Sequence, residues 1–227
     1  VVVNNGVITG SVFGGGEGSS SYTPYVLGNI TVTINDGDIS SVYGGNDQSG
    51  SHYNTNNVYL KGGVIENVFG GGNKSNVTNT NVHLQGSEVT NLYGGSNVSG
   101  TVQTSTVNLS SGKVGNAFGG NNKGGNCYTT NVNVEGTAQV LVSVYGGGNE
   151  VDTTPTNLNL VSANGAVPNV FGGGNASSVS TAMITKGSLT VTNLYGGSNA
   201  SGTVSQNYIT HNGGTTTTLY GGNNAGG

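Results

Sequence analysis

The sequence predicts an all-β fold, a parallel β-solenoid (β-helix) of about nine coils, and three observations lead there. A short motif of an aliphatic residue, an aromatic ring and two or three glycines, usually closed by asparagine, recurs nine times in 227 residues. Its rings stand at Phe13, Tyr43, Phe69, Tyr93, Phe118, Tyr145, Phe171, Tyr195 and Tyr220, in steps of 24 to 30 residues. A period in this range marks a solenoid, a propeller or an array. Alternating apolar residues precede each motif, the pattern of a strand with one buried and one wet face. Finally, the rings at 43, 69, 93 and 118 return 102 residues later at 145, 171, 195 and 220, so four coils form one duplicated block. A propeller blade takes about 40–45 residues and is too long, and leucine-rich repeats would show their leucine signature and helical segments.

Within each coil the first strand is carried by pairs such as Val32 and Ile34, Val58 and Leu60, Val82 and Leu84, Val107 and Leu109, Val132 and Val134, and Leu158 and Leu160. A Gly- or Asn-containing turn follows, for example Asn35-Asp36-Gly37-Asp38 or Lys61-Gly62-Gly63. The second strand ends in the ring motif. The residue before each ring is aliphatic, giving the core positions Val42, Val68, Leu92, Val144, Val170, Leu194 and Leu219. Four before the ring stand Ile39, Ile65, Val89, Val114, Leu141, Val167 and Val191, with Thr9 and Thr216 as exceptions in the end copies. Two inward residues three apart cannot share one flat strand, because odd spacing reverses the face. A corner resolves this, and the residue at it is always polar: Ser11, Ser41, Asn67, Asn91, Asn116, Ser143, Asn169, Asn193 and Thr218. Coils about 4.8 Å apart would bring these side chains into a hydrogen-bonded ladder.

The rings form a structural ladder or an outward platform, since stacking at coil spacing is favourable wherever they point. The motif glycines are expected to supply positive φ, and the asparagine after them tolerates it. Glu17 to Asn29, with Pro24, reads as a loop leaving the first coil. Lys186 and His211 fall 102 residues after Leu84 and Leu109. A local register slip is the expected remedy, with Met183, Ile184 and Ile209 supplying the apolar contacts. Residues 1–227 read as one continuous solenoid, a segment of or subunit in a longer array. Neither end has a cap, which fits further coils in a parent chain or copies joined head-to-tail.

Composition narrows the function. Only 6% of residues are charged and the net charge is −4. The five cations are all lysines, too few to neutralise phosphates, so nucleic-acid binding is not expected. Cys127 is the only cysteine, and no membrane span or signal peptide is legible. The glycine runs lack the Lys-Ser/Thr of a phosphate loop, and Asp36-Gly37-Asp38 occurs once, against a calcium-binding repeat. No catalytic residue, metal site or cofactor is expected. The nearest approach to a carboxylate pair is Glu66 with Glu88, on adjacent coils. Asp47, Glu150 and Asp152 lie past their glycines, the first four coils from the others, and the three histidines share no repeat position. Scattered threonines argue against ice binding.

The Φ-Phe/Tyr-Gly-Gly-(Gly)-Asn pattern, repeated along the whole chain, resembles the repeat regions of bacterial extracellular β-helix proteins such as adhesins, surface proteins and fibre subunits. The resemblance implies secretion to the cell surface and a structural role, as a glycine-rich scaffold or a filament subunit stacking end-to-end. The second reading is a carbohydrate-binding adhesin that presents the Tyr/Phe ladder to glycans.

Overall fold

The computed structural model describes residues 1–225. Among these the regular structure is entirely β, with no helix. The strands are β1 (Val2–Val3), β2 (Val7–Phe13), β3 (Tyr25–Val26), β4 (Ile30–Ile34), β5 (Asp38–Tyr43) and β6 (Ser51–Leu60). Next come β7 (Val64–Phe69), β8 (Asn76–Tyr93), β9 (Thr101–Phe118), β10 (Asn126–Val134), β11 (Gln139–Tyr145) and β12 (Thr156–Leu160). The last are β13 (Val167–Phe171), β14 (Val179–Lys186), β15 (Val191–Tyr195), β16 (Val204–His211) and β17 (Thr216–Tyr220).

The pairings are parallel and link equivalent segments of successive coils, which makes the molecule a β-solenoid. Three ladders run along it. The first face joins β1, β4, β6, β8, β9, β10, β12, β14 and β16 through their shared alternation. The second face joins β2, β5, β7, the later halves of β8 and β9, then β11, β13, β15 and β17. A third, narrower ladder aligns Val26, His52, Val77, Val102, Cys127, Thr153, Val179 and Val204. Its inward positions mix apolar and polar residues, so no periodicity announces it. Tyr25 and Val26 belong to it, and the segment expected as a free loop therefore rejoins the stack.

One aliphatic core runs the length of the rod, with Val58, Leu60, Ile65 and Val68 as one coil's share. Each such side chain removed from water contributes about 1.5–3 kcal/mol. The rings form a second, separate cluster. This follows from strand geometry: Val42 and Tyr43 are neighbours, so they point to opposite sides of the second face.

Four expectations require correction. In the coil that carries one extra residue, a bulge lets Val140 pair with Val114 and fill the core, while Leu141 is 53% exposed. A similar shift in the first coil puts Ile8, and not Thr9, opposite Ile39. Leu219, in the last coil among the described residues, is 47% exposed although it keeps the register rank of Leu194. Lys186 involves no register slip: Leu158 pairs with Ile184 and Leu160 with Lys186, which pairs in turn with His211. The lysine thus occupies a core leucine position, fully buried. Its ammonium donates to the carbonyls of Leu189 at 2.7 Å, Gly213 at 2.6 Å and Gly187 at 3.2 Å. Burial lowers its pKa below the usual lysine value. The C-terminal end of the core is consequently polar, with His211 exposed above Lys186 and bonded to Thr216 Oγ1 at 3.1 Å.

The motif glycines also differ from expectation. Positive φ occurs at turn glycines such as Gly37, Gly63 and Gly112, at no non-glycine residue, and at none of the glycines that follow the rings. The motif needs glycine for close approach. A Cβ on Gly94 would lie 2.4 Å from the carbonyl oxygen of Gly119 in the next coil, whereas one on Gly221 meets nothing within 4 Å. Gly94→Ala should therefore cost at least the ~1–3 kcal/mol of an overpacked interior. Gly221→Ala should stay within about 0.5 kcal/mol of the parent. Chemical denaturation of the two variants, followed by circular dichroism, checks the contrast.

Candidate functional site

The nine rings stack face to face along the rod. Consecutive pairs from Phe13–Tyr43 to Tyr195–Tyr220 have centroids 4.4–5.0 Å apart and planes within 3–11° of parallel. Each stack contributes about 0.5–1.5 kcal/mol beyond its area. Tyr43, Phe69, Tyr93, Phe118, Tyr145 and Phe171 are buried, Phe13 and Tyr195 partly so, and Tyr220 is 46% exposed at the open end. Both faces of every interior ring are covered by other rings. The ladder is therefore closed to a sugar that must lie on an aromatic face.

Three side-chain ladders accompany the rings. The polar corner residues Ser11, Ser41, Asn67, Asn91, Asn116, Ser143, Asn169, Asn193 and Thr218 form one register rank. Asn91 donates to Asn67, Asn116 to Asn91 and Asn193 to Asn169 at 3.1–3.3 Å. Beside Ser143, too short to continue the row, Asn169 turns to the carbonyl of Val142.

The second row was only half legible. Its members stand four residues after each ring, where Asp47 is followed by seven asparagines, and their amides bond from coil to coil. Asn73 donates to Asp47, and Asn97, Asn122, Asn149, Asn175, Asn199 and Asn224 each donate to the member before, at 2.7–3.1 Å. Asp47 closes the row at the end where the N–H groups point, as a carboxylate suits it. The second N–H of Asn97 reaches the Tyr43 hydroxyl at 3.2 Å, and that of Asn199 reaches Tyr145 at 3.4 Å. These two junctions are 102 residues apart, so the super-repeat encodes them.

The third row escaped the sequence reading. Asn56, Thr80, Ser105, Thr130 and Thr156 are fully buried at the start of the first-face strands. Each donates to the carbonyl of the glycine immediately after a ring: Gly70, Gly94, Gly119, Gly146 and Gly172 in turn. The available signal was a small polar residue fourteen to sixteen positions before that glycine.

The charged groups do not converge. Glu88 pairs in register with Val64 and Lys113, two positions from the rank of Glu66. Its carboxylate meets Lys113 Nζ at 3.2 Å. Asp47 accepts from Asn73 and Gln48, and Asp152 from the backbone of Ser178. Among the described residues no group of His, Cys, Asp and Glu is placed to hold a metal ion. No helix among them is long and apolar enough to cross a membrane. Cys127 is buried in the third ladder, its thiol pushed up to about 12 by burial.

Burial also raises the phenols of Tyr43, Tyr93 and Tyr145, with Tyr93 reaching about 12. Because each folded value exceeds the unfolded 10.0, their stabilisation is complete below pH 10 and is lost as pH rises through the folded values, for Tyr93 toward 12. Lys186 acts in the opposite sense, since the cost of its buried charge falls as pH climbs to its unfolded value of 10.5. A far-ultraviolet dichroism titration should show unfolding between pH 10 and 12 coincident with late phenolate absorbance. Tyr93→Phe should shift that transition upward. Separately, Thr80→Val keeps the shape but strands the Gly94 carbonyl, and should cost about 1–3 kcal/mol in denaturant unfolding.

No protein-family model matches the chain, and no curated protein or solved structure matches it either.

Proposed function

We propose that this chain is a structural, non-enzymatic rod at the cell surface, a scaffold element or a subunit that stacks head-to-tail into filaments. The observation that carries the reading is the unbroken register of equivalent residues from the first described coil to the last. Thr218, Leu219 and Tyr220 occupy the same ranks as Ser11, Val12 and Phe13, and every rank between is continuous. At the C-terminal end Leu219 and Tyr220 are uncovered, and at the other end Val1, Val2 and Val7 are exposed. A second copy would place Phe13 on Tyr220 and Val12 on Leu219, extending both cores and the backbone ladder. The contact joins unlike surfaces without closing, the geometry that generates filaments. A surface location accords with a chain whose polar groups are chiefly Asn, Ser and Thr and whose backbone is tied into ladders.

Negative-stain electron microscopy at high protein concentration tests this. Thin fibres of uniform width are expected, and Leu219→Asp should leave only short rods of roughly 40 Å, eight coil steps of about 4.8 Å. Short rods from the unaltered chain at every concentration would remove the filament reading.

A further inference from the structure

We propose that the third face of the rod carries a binding groove for a neutral glycan, separate from the ring ladder and from both end coils. A surface cavity of about 260 Å³ lies there, lined by Ser51, Tyr53, Asn76, Thr78, Thr101 and Gln103, with His52 and Val77. Two outward ranks border it. One runs through Tyr25, Ser51, Asn76, Thr101 and Asn126. On the other side of the inward rank stand Tyr53, Thr78, Gln103 and Tyr128, each directly following a paired residue of the third ladder.

The chemistry of this groove matches one class of ligand. Its walls offer hydroxyls and amides, which both donate and accept, as sugar hydroxyls require. Asn76 already uses its amide toward Ser51 and its carbonyl oxygen toward the backbone of Thr101, so part of the wall is held in place. The lining contains no carboxylate, lysine or arginine, and His52 is buried with Nε2 against the Gly28 carbonyl. A phosphate, sulfate or uronate would find no cation there.

The aromatic component is distinct from the ladder. Tyr53 is 69% exposed and Tyr128 is also exposed, and neither is among the stacked ring pairs. A bulge between His52 and Thr55 sets both Tyr53 and Asn54 against Thr78, which re-aims the tyrosine. Three coil steps, about 14 Å, separate Tyr53 from Tyr128. Two exposed aromatic side chains, Tyr53 in the cavity lining and Tyr128 one coil beyond Gln103, with Thr78 and Gln103 between them, suit an extended oligosaccharide whose C–H faces and hydroxyls alternate. An added peptide strand is disfavoured, because backbone groups along this face are already paired to neighbouring coils.

The test is calorimetric titration of the full chain with neutral oligosaccharides (cello-, xylo-, manno- and chito-series), with polyuronate and heparin as anionic comparisons. Saturable binding of at least one neutral series is expected. Tyr53→Ala, Tyr128→Ala and Gln103→Ala should each weaken it about tenfold or more, as the loss of one anchor does. Tyr208→Ala, at an exposed tyrosine on the first face, should leave it unchanged. Dichroism confirms that the variants keep the parent fold. Absence of binding across the neutral series, binding of the anionic polymers alone, or equal affinity in the Tyr53 and Tyr128 variants would overturn the proposal.

Discussion

A carbonyl oxygen of the next coil lies where the Cβ of Gly44, Gly70, Gly94 or Gly119 would be, 2.1–2.4 Å from it. That contact is the constraint on which the rest of the rod depends. It exists because the chain, on leaving the second face, passes close against the first-face strands: Val82 and Thr80 stand against Gly70, and Val107 and Ser105 against Gly94. Any side chain at these positions would push successive coils apart. Separation beyond stacking distance would cost the ring contacts, the backbone ladder and the amide rows together. Glycine is disfavoured in strands for its entropy, and here many coil-to-coil contacts offset that cost.

The same passage of chain creates a polar problem, solved in the interior. The amide of the first glycine donates to the next ring residue's carbonyl, as Gly70 does to Tyr93, and the second glycine donates to a second glycine, as Gly71 does to Gly95. The first glycine's own carbonyl lies outside this pattern. A buried Thr, Ser or Asn supplies the missing donor. A buried acceptor without one would cost about 1–3 kcal/mol. Rings, glycines and buried hydroxyls are thus parts of one arrangement.

How much of this was legible depends on whether a position repeats in type. Val58, Leu60, Ile65 and Val68 recur as aliphatics, so two faces and their core could be read directly, and the polar corner emerged from the parity conflict between inward residues. The third face could not. Its inward rank holds five valines, but His52, Cys127 and Thr153 interrupt them, and a single inward residue per coil sets up no alternation to read. Bulges were equally hidden: Val140 and Leu141 are both apolar, and only the extra residue in that coil decides which is buried. Lys186 misled for another reason. Apolar neighbours made a slip look cheaper than burying an ammonium, but three carbonyls near its Nζ give that charge hydrogen bonds a slipped strand would lack.

The ladders also decide which forces could hold a head-to-tail joint. The asparagine row has a direction, since each amide donates toward the N-terminal end and Asp47 ends it with a carboxylate. By backbone register the position below Asp47 belongs to Glu17, while the far end offers Asn224, whose amide is already committed to Asn199. In the proposed stack Glu17 would meet the acceptor end of Asn224, two oxygens with no proton between them. The amide row therefore opposes the joint, or at best adds nothing to it. His211, in the rank of Val3, adds little apolar contact. What remains is Phe13 on Tyr220, Val12 on Leu219 and the outer backbone edges of β2 and β17, whose inner edges pair with β5 and β15. A joint resting on so few contacts is weaker than any interior coil boundary, so assembly of such rods would depend on concentration while each rod stayed intact.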